Sequence, residues 1–121
     1  MFEFVNVNPC KRRLGDRVIR ALSLALNQRW ERTLGYKLAV DGILGNKTLT
    51  AARKCIVDKG SRGKVVKWLQ KRLNSLCFNC GAADGIAGDK TMNAIHKWQS
   101  ANGVGVGYFG GSDWNIMLGM S

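Results

Sequence analysis

The sequence predicts an all-α fold of five short helices joined by structured loops, and three observations predict it. Apolar residues recur at three- and four-residue spacing, the signature of one buried helix face. A fourteen-residue block recurs with eight identical positions at a constant offset of 43 residues, so one helical unit is used again. Strand signals, meaning period-two runs of β-branched and aromatic residues, are few.

The elements follow in chain order. Residues 1–15 read as an N-terminal arm. Its charges, Lys11-Arg12-Arg13, follow the apolar residues instead of preceding them, and it contains no long apolar core, so it lacks the pattern of a secretory signal. A first helix is expected over 16–30, with Val18, Ile19, Leu22, Leu26 and Trp30 as its apolar stripe. The block Asp41-Gly42-Ile43-Leu44-Gly45-Asn46-Lys47-Thr48 then makes a turn and opens a helix over 46–57. Gly60-Ser61-Arg62-Gly63 punctuates the chain, with Ser61 as the N-cap of a helix over 62–76 striped by Val65, Val66, Leu69, Leu73 and Leu76. The second copy, Asp84-Gly85-Ile86-Ala87-Gly88-Asp89-Lys90-Thr91, opens a helix over 89–102. A weaker third copy, Gly107 to Trp114, leads into a last helix over 112–119. The expected division is an arm at 1–15, a first helix–loop–helix repeat at 16–57 and a second unit at 58–121.

Each copy of the block has a physical logic. Asp accepts hydrogen bonds from backbone N–H groups two residues on, and Gly tolerates positive φ. The Ile that follows is expected to tuck under the loop. Thr48 and Thr91 fall in the first helical turn, where a hydroxyl satisfies an otherwise free backbone group. Asp41, Gly42, Gly45, Thr48, Asp84, Gly85, Gly88 and Thr91 are therefore assigned to the loop structure itself.

Charge bounds the partner. Nineteen Lys and Arg against eight Asp and Glu give a net charge of +11, a field that draws in polyanions such as nucleic acid, anionic lipid or teichoic acid. No apolar run approaches the roughly 20 residues that cross a bilayer. Four cysteines, at 10, 55, 77 and 80, leave three readings open: free thiols, a disulfide or part of a metal site. Cys77 and Cys80 have knuckle spacing, but no second Cys pair or His pair completes four ligands.

Catalysis is not expected. A zinc hydrolase needs several His or Cys ligands, and His96 is the single histidine. A muramidase needs a carboxylic acid of raised pKa, yet Glu31 stands among Arg29, Trp30 and Arg32, where cations favour the ionised form. No catalytic residues, cofactor or metal are assigned.

The stretch Gly60-Ser61-Arg62-Gly63 with Val66, Leu69-Gln70 and Leu73, then Asp84-Gly85-Ile86, Gly88, Thr91 and Ala94, then Trp98-Gln99 and Gly103-Val104, resembles the peptidoglycan-binding domain family. The resemblance covers about residues 60–119, closing on Gly107-Tyr108-Phe109-Gly110, Trp114 and Leu118, and 16–57 resembles a shorter copy preceding it. It implies a three-helix wall-binding module, non-catalytic, of the kind found beside the catalytic domains of phage or bacterial endolysins and autolysins. Peptidoglycan would be the partner, with teichoic acids as a further anionic one, and the chain would act as a monomer at the wall without membrane insertion. Trp68, Trp98, Gln99, Tyr108, Asp84 and Lys90 are the candidate ligand-binding residues. Three positions depart from the family pattern. Trp98 stands where Phe is usual, Val106 where the third loop has Asp, and Cys77 where Gly follows the helix expected over 62–76. Arg17 lies in a stretch resembling the opening of phage proteins with a papain-like pattern, at the place of their cysteine. The competing reading, from charge alone, is a basic phage nucleic-acid-binding protein, though no helix-turn-helix, zinc-finger or RNP signature accompanies it.

Overall fold

The computed structural model describes residues 16–30 and 46–118. The arm, the first Asp-Gly loop with Asp41, Gly42 and Gly45, and Cys10 lie outside the described residues. Five helices are present: α1 (Asp16–Trp30), α2 (Asn46–Arg53), α3 (Lys64–Ser75), α4 (Asp89–Ala101) and α5 (Gly111–Met117). Among the described residues there are no strands, only two isolated antiparallel bridges.

Those bridges explain where prediction and structure part. The helix expected over 46–57 stops at Arg53, because Val57 exchanges both backbone hydrogen bonds with Phe109, at 2.8 Å each. A residue bonded in that way cannot continue a helix, and the last turn tightens through Cys55 N–H to Ala52 C=O at 2.9 Å. The helix expected from 62 starts at Lys64 instead, because Arg62 is paired with Ile86 and Gly63 N–H donates to Gly85 C=O at 2.9 Å. Gly63, not Ser61, is the N-cap, and the Ser61 hydroxyl accepts from Asp58 N–H at 3.0 Å. Residues 57–63 thus form a strap, turned in its middle where Ser61 N–H donates to Asp58 C=O at 3.0 Å, that pairs with the loop before α4 at one end and the loop before α5 at the other.

One hydrophobic core runs through the described helices. The stripes of α1 and α3 face each other, with Leu22, Leu26, Leu69 and Leu73 fully buried, while α2 packs on α5. Four aromatic rings from four parts of the chain make the centre. Trp68 stacks on Trp114 at 5.7 Å, Trp114 meets Phe109 edge-on at 4.9 Å, and Phe109 meets Trp98 at 5.4 Å. Two of the indole N–H groups are satisfied: Trp68 Nε1–H donates to Val18 C=O and Trp114 Nε1–H to Cys55 C=O, both at 2.9 Å. These two bonds tie α3 to α1 and α5 to the segment leading into the strap. Deep burial of each ring contributes on the order of 2 kcal/mol.

Cys55 and Cys80 are buried and in no disulfide, whereas Cys77 is disulfide-bonded. Burial pushes the Cys80 thiol above its ordinary range. Among the described residues no group of three or more His, Cys, Asp or Glu is placed to hold a metal, and no helix is long and apolar enough to cross a membrane.

Candidate functional site

Two buried glutamines organise the loops. Gln70, on α3, is fully buried, and its amide reaches across the Asp-Gly loop. Its Oε1 accepts Gly85 N–H at 2.8 Å; its Nε2 donates to Ile86 C=O and Thr91 Oγ1, each at 2.9 Å, and to Asp84 Oδ1 at 3.2 Å. Gln99, on α4, repeats the device on the next loop. Its Oε1 accepts Gly107 N–H at 3.1 Å, and its Nε2 donates to Tyr108 C=O at 3.0 Å and Asp113 Oδ2 at 3.4 Å. Thr91 and Asp113 each sit third in their helix, as Thr48 does in α2. The Thr91 hydroxyl therefore serves the Gln70 side chain, in place of the free backbone group expected for it.

The Asp turn forms as its chemistry requires, with Asp84 Oδ1 accepting Ile86 N–H at 3.0 Å. That backbone bond, followed by the Gln70 amide, holds the Asp84 carboxyl below the usual carboxylate range. Gly85 has φ +79, and a Cβ there would lie 3.1 Å from Gly63 C=O, so any other residue would strain the closure of the loop on the strap. The loop's anchor is not Ile86, which is 44% exposed; Ala87, 1% exposed, takes the inward place. The cause is the strap: Ala87 N–H donates to Ser61 C=O and Ala87 C=O accepts Gly60 N–H, each at 2.8 Å, which turns the neighbouring side chain outward.

This inversion creates a surface feature. An open groove of about 790 Å³ runs between the strap, the start of α3 and the Asp-Gly loop. Ile56 and Ile86 expose their side chains to it, and Arg62, Lys64 and Lys67 stand opposite one carboxylate, Asp84, among its described lining. Tyr108 stands beyond Ile56, outside the groove's lining: a Cβ on Gly110 would lie 3.2 Å from the tyrosine ring and 3.4 Å from Ile56, so both side chains border that glycine.

The residues proposed from sequence are distributed unevenly. Tyr108 is 57% exposed beside the groove, and Asp84 lines it. Lys90 is exposed near Gly81, away from the groove's lining. Trp98 and Gln99 are buried in the core and the second clamp; Trp68, also buried, shows only an edge, to a separate small pocket beside Val18 and Lys71. The sequence does not single out Ile56, Ile86, Arg62, Lys64 and Lys67 as lining one site. Nothing local marks them, because strap and loop meet only through backbone pairing.

Residues 62–117 match the family described as "Putative peptidoglycan binding domain", and residues 22–66 match a second family, described as "Predicted Peptidoglycan domain". Both matches support the peptidoglycan-binding domain family for this chain, and the helices and loops described above fall largely within them. Neither a curated protein nor a solved structure gives a match.

Proposed function

We propose that this chain, two segments of which match peptidoglycan-binding families, is a non-catalytic wall-binding module that serves a phage or bacterial endolysin or autolysin. A catalytic domain beside it would supply the hydrolysis. The observation that carries this reading is the groove at the Asp-Gly loop, where exposed aliphatic side chains and cations face outward on a backbone held by the Gln70 clamp. Such a surface suits a wall polymer that is neither wholly polar nor neutral. Tyr108, exposed on the neighbouring loop outside the groove's lining, adds an aromatic surface of its own. The net charge of +11 adds long-range attraction to the wall, teichoic acids included.

Retention on purified Gram-positive sacculi, with and without teichoic acid, tests it. Binding to bare peptidoglycan should survive about 0.3 M salt, where the Debye length falls below about 6 Å. Tyr108→Ala should weaken retention without unfolding the protein. Release by salt from teichoic-acid-free sacculi would sink the reading. A basic nucleic-acid-binding protein is the second reading, favoured by the net charge alone; it requires tight DNA binding that falls steeply with salt.

A further inference from the structure

We infer, on the reading that the chain binds peptidoglycan, that its groove takes the anionic stem peptide of the wall and not the sugar strand. The lining decides between them. Sugars are held by aromatic rings stacked on their C–H faces, together with dense polar contacts. Among its described lining residues the groove has no aromatic ring. The rings that could have served, Trp68, Trp98, Phe109 and Trp114, are spent on one another in the core. Tyr108, an exposed aromatic nearby, lies past Ile56 and outside the lining.

What the groove does present fits a peptide carrying small apolar side chains and free carboxylates. Arg62, Lys64 and Lys67 give three cations, all on exposed residues. Asp84, the one carboxylate in the described lining, is already engaged by Ile86 N–H and the Gln70 amide. The balance therefore favours an anionic guest. Lys and Arg are the groups that bind carboxylates through charge-assisted hydrogen bonds. Ile56 and Ile86 offer aliphatic contact of the size an alanyl methyl fills. At about 790 Å³ the groove has room for several peptide residues. The Arg62–Ile86 bridge sets a cation and an aliphatic side chain at neighbouring positions along it.

The experiment is a ¹⁵N NMR titration of the full chain with three probes, run beside retention on intact sacculi. The probes are a synthetic stem tetrapeptide with free carboxylates, the same peptide fully amidated, and a peptide-free N-acetylglucosamine tetramer. The free peptide should shift the amides of Arg62, Lys64, Lys67 and Ile86. Amidation should weaken that binding about tenfold, as loss of a charge-assisted hydrogen bond does. The double variant Lys64→Glu/Lys67→Glu, on exposed side chains, should weaken it comparably with an unchanged circular dichroism spectrum. Equal binding of the amidated peptide, or stronger shifts of those amides by the sugar tetramer, would overturn the inference. Sacculi retained while the free peptide leaves the groove silent would overturn it too and leave wall binding standing. Sacculi not retained would remove the wall reading itself.

Discussion

The loop before α4 and the loop before α5 are built on the same clamp with different reinforcement. In each, a buried glutamine from the preceding helix accepts a glycine N–H and donates both to the next carbonyl and to the third residue of the following helix. Both loops pair with the strap through backbone, at Ala87 and at Phe109; the first adds the Asp84 turn, a positive-φ glycine pressed on the strap, and the further bond from Gly63 N–H to Gly85 C=O. The second has Val106 where the first has Asp84, and compensates at the helix start, where Asp113 Oδ2 accepts Gly110 N–H at 3.1 Å. What the pair teaches is that the amide clamp is the shared structural requirement. The Asp turn is one of several ways to hold the loop's remaining backbone groups.

Replacing the clamps breaks the comparison most strongly. Gln70→Leu leaves the buried Gly85 N–H and its neighbours without partners and should cost about 3–4 kcal/mol in urea unfolding. Gln99→Leu, whose bonds are longer and fewer, should cost about 2 kcal/mol. Equal losses would mean that the two clamps carry the same load and that the first loop's additions are idle.

The glycines sharpen it next. Gly85→Ala must accept positive φ and a 3.1 Å approach to Gly63 C=O, and should cost about 2 kcal/mol. Gly107→Ala meets nothing within 4 Å and needs no positive φ, so it should cost under about 1 kcal/mol. The two thermal midpoints measured side by side decide.

A third test concerns how the loops are entered. Both α3 and α4 end in the same way, with Phe78 N–H on Leu73 C=O at 2.9 Å and Val104 N–H on Gln99 C=O at 3.0 Å. The left-handed residue is Gly103 in one (φ 73) and Cys77 in the other (φ 68). Cys77→Gly should raise stability by about 1 kcal/mol, measured in reductant so that the Cys77 disulfide does not enter.

Smaller still is Val106→Asp. It would give the second loop the Asp turn of the first and should stabilise by about 0.5 kcal/mol. Last is a pH effect confined to the first loop. The Asp84 carboxyl is depressed in the folded protein, so its contribution is present above the ordinary Asp range and is lost as pH falls through the depressed value. A pH-stability profile of Asp84→Asn should lack that acid-side loss; an unchanged profile would assign it elsewhere.

Much of the fold is legible from the sequence because helix faces and turn chemistry are local. The stripes on α1 and α3 are readable from spacing alone, and Asp84-Gly85 announces its turn. The departure at Cys77 from the family's glycine falls on a positive-φ position, which explains why glycine is usual there. The candidate site is less legible. Gln70 and Gln99 are polar residues at buried positions, and polarity alone does not separate a clamp from a groove-lining group. Trp98 and Trp114 carry core spacing, and only packing shows that Trp68 joins them.

By itself, then, the sequence determines which segments are helical, the Asp84-Gly85 turn and the sign of the charge, since each depends on residues within a few positions of one another or on composition. Tertiary structure decides where α2 stops, which of Ile86 and Ala87 faces inward, and which cations share a groove. Those outcomes depend on the strap's backbone groups finding partners 22 to 52 residues along the chain, as Gly63 does at Gly85 and Val57 at Phe109. A buried backbone group must be paired, and the partner that arrives first in space need not be near in sequence.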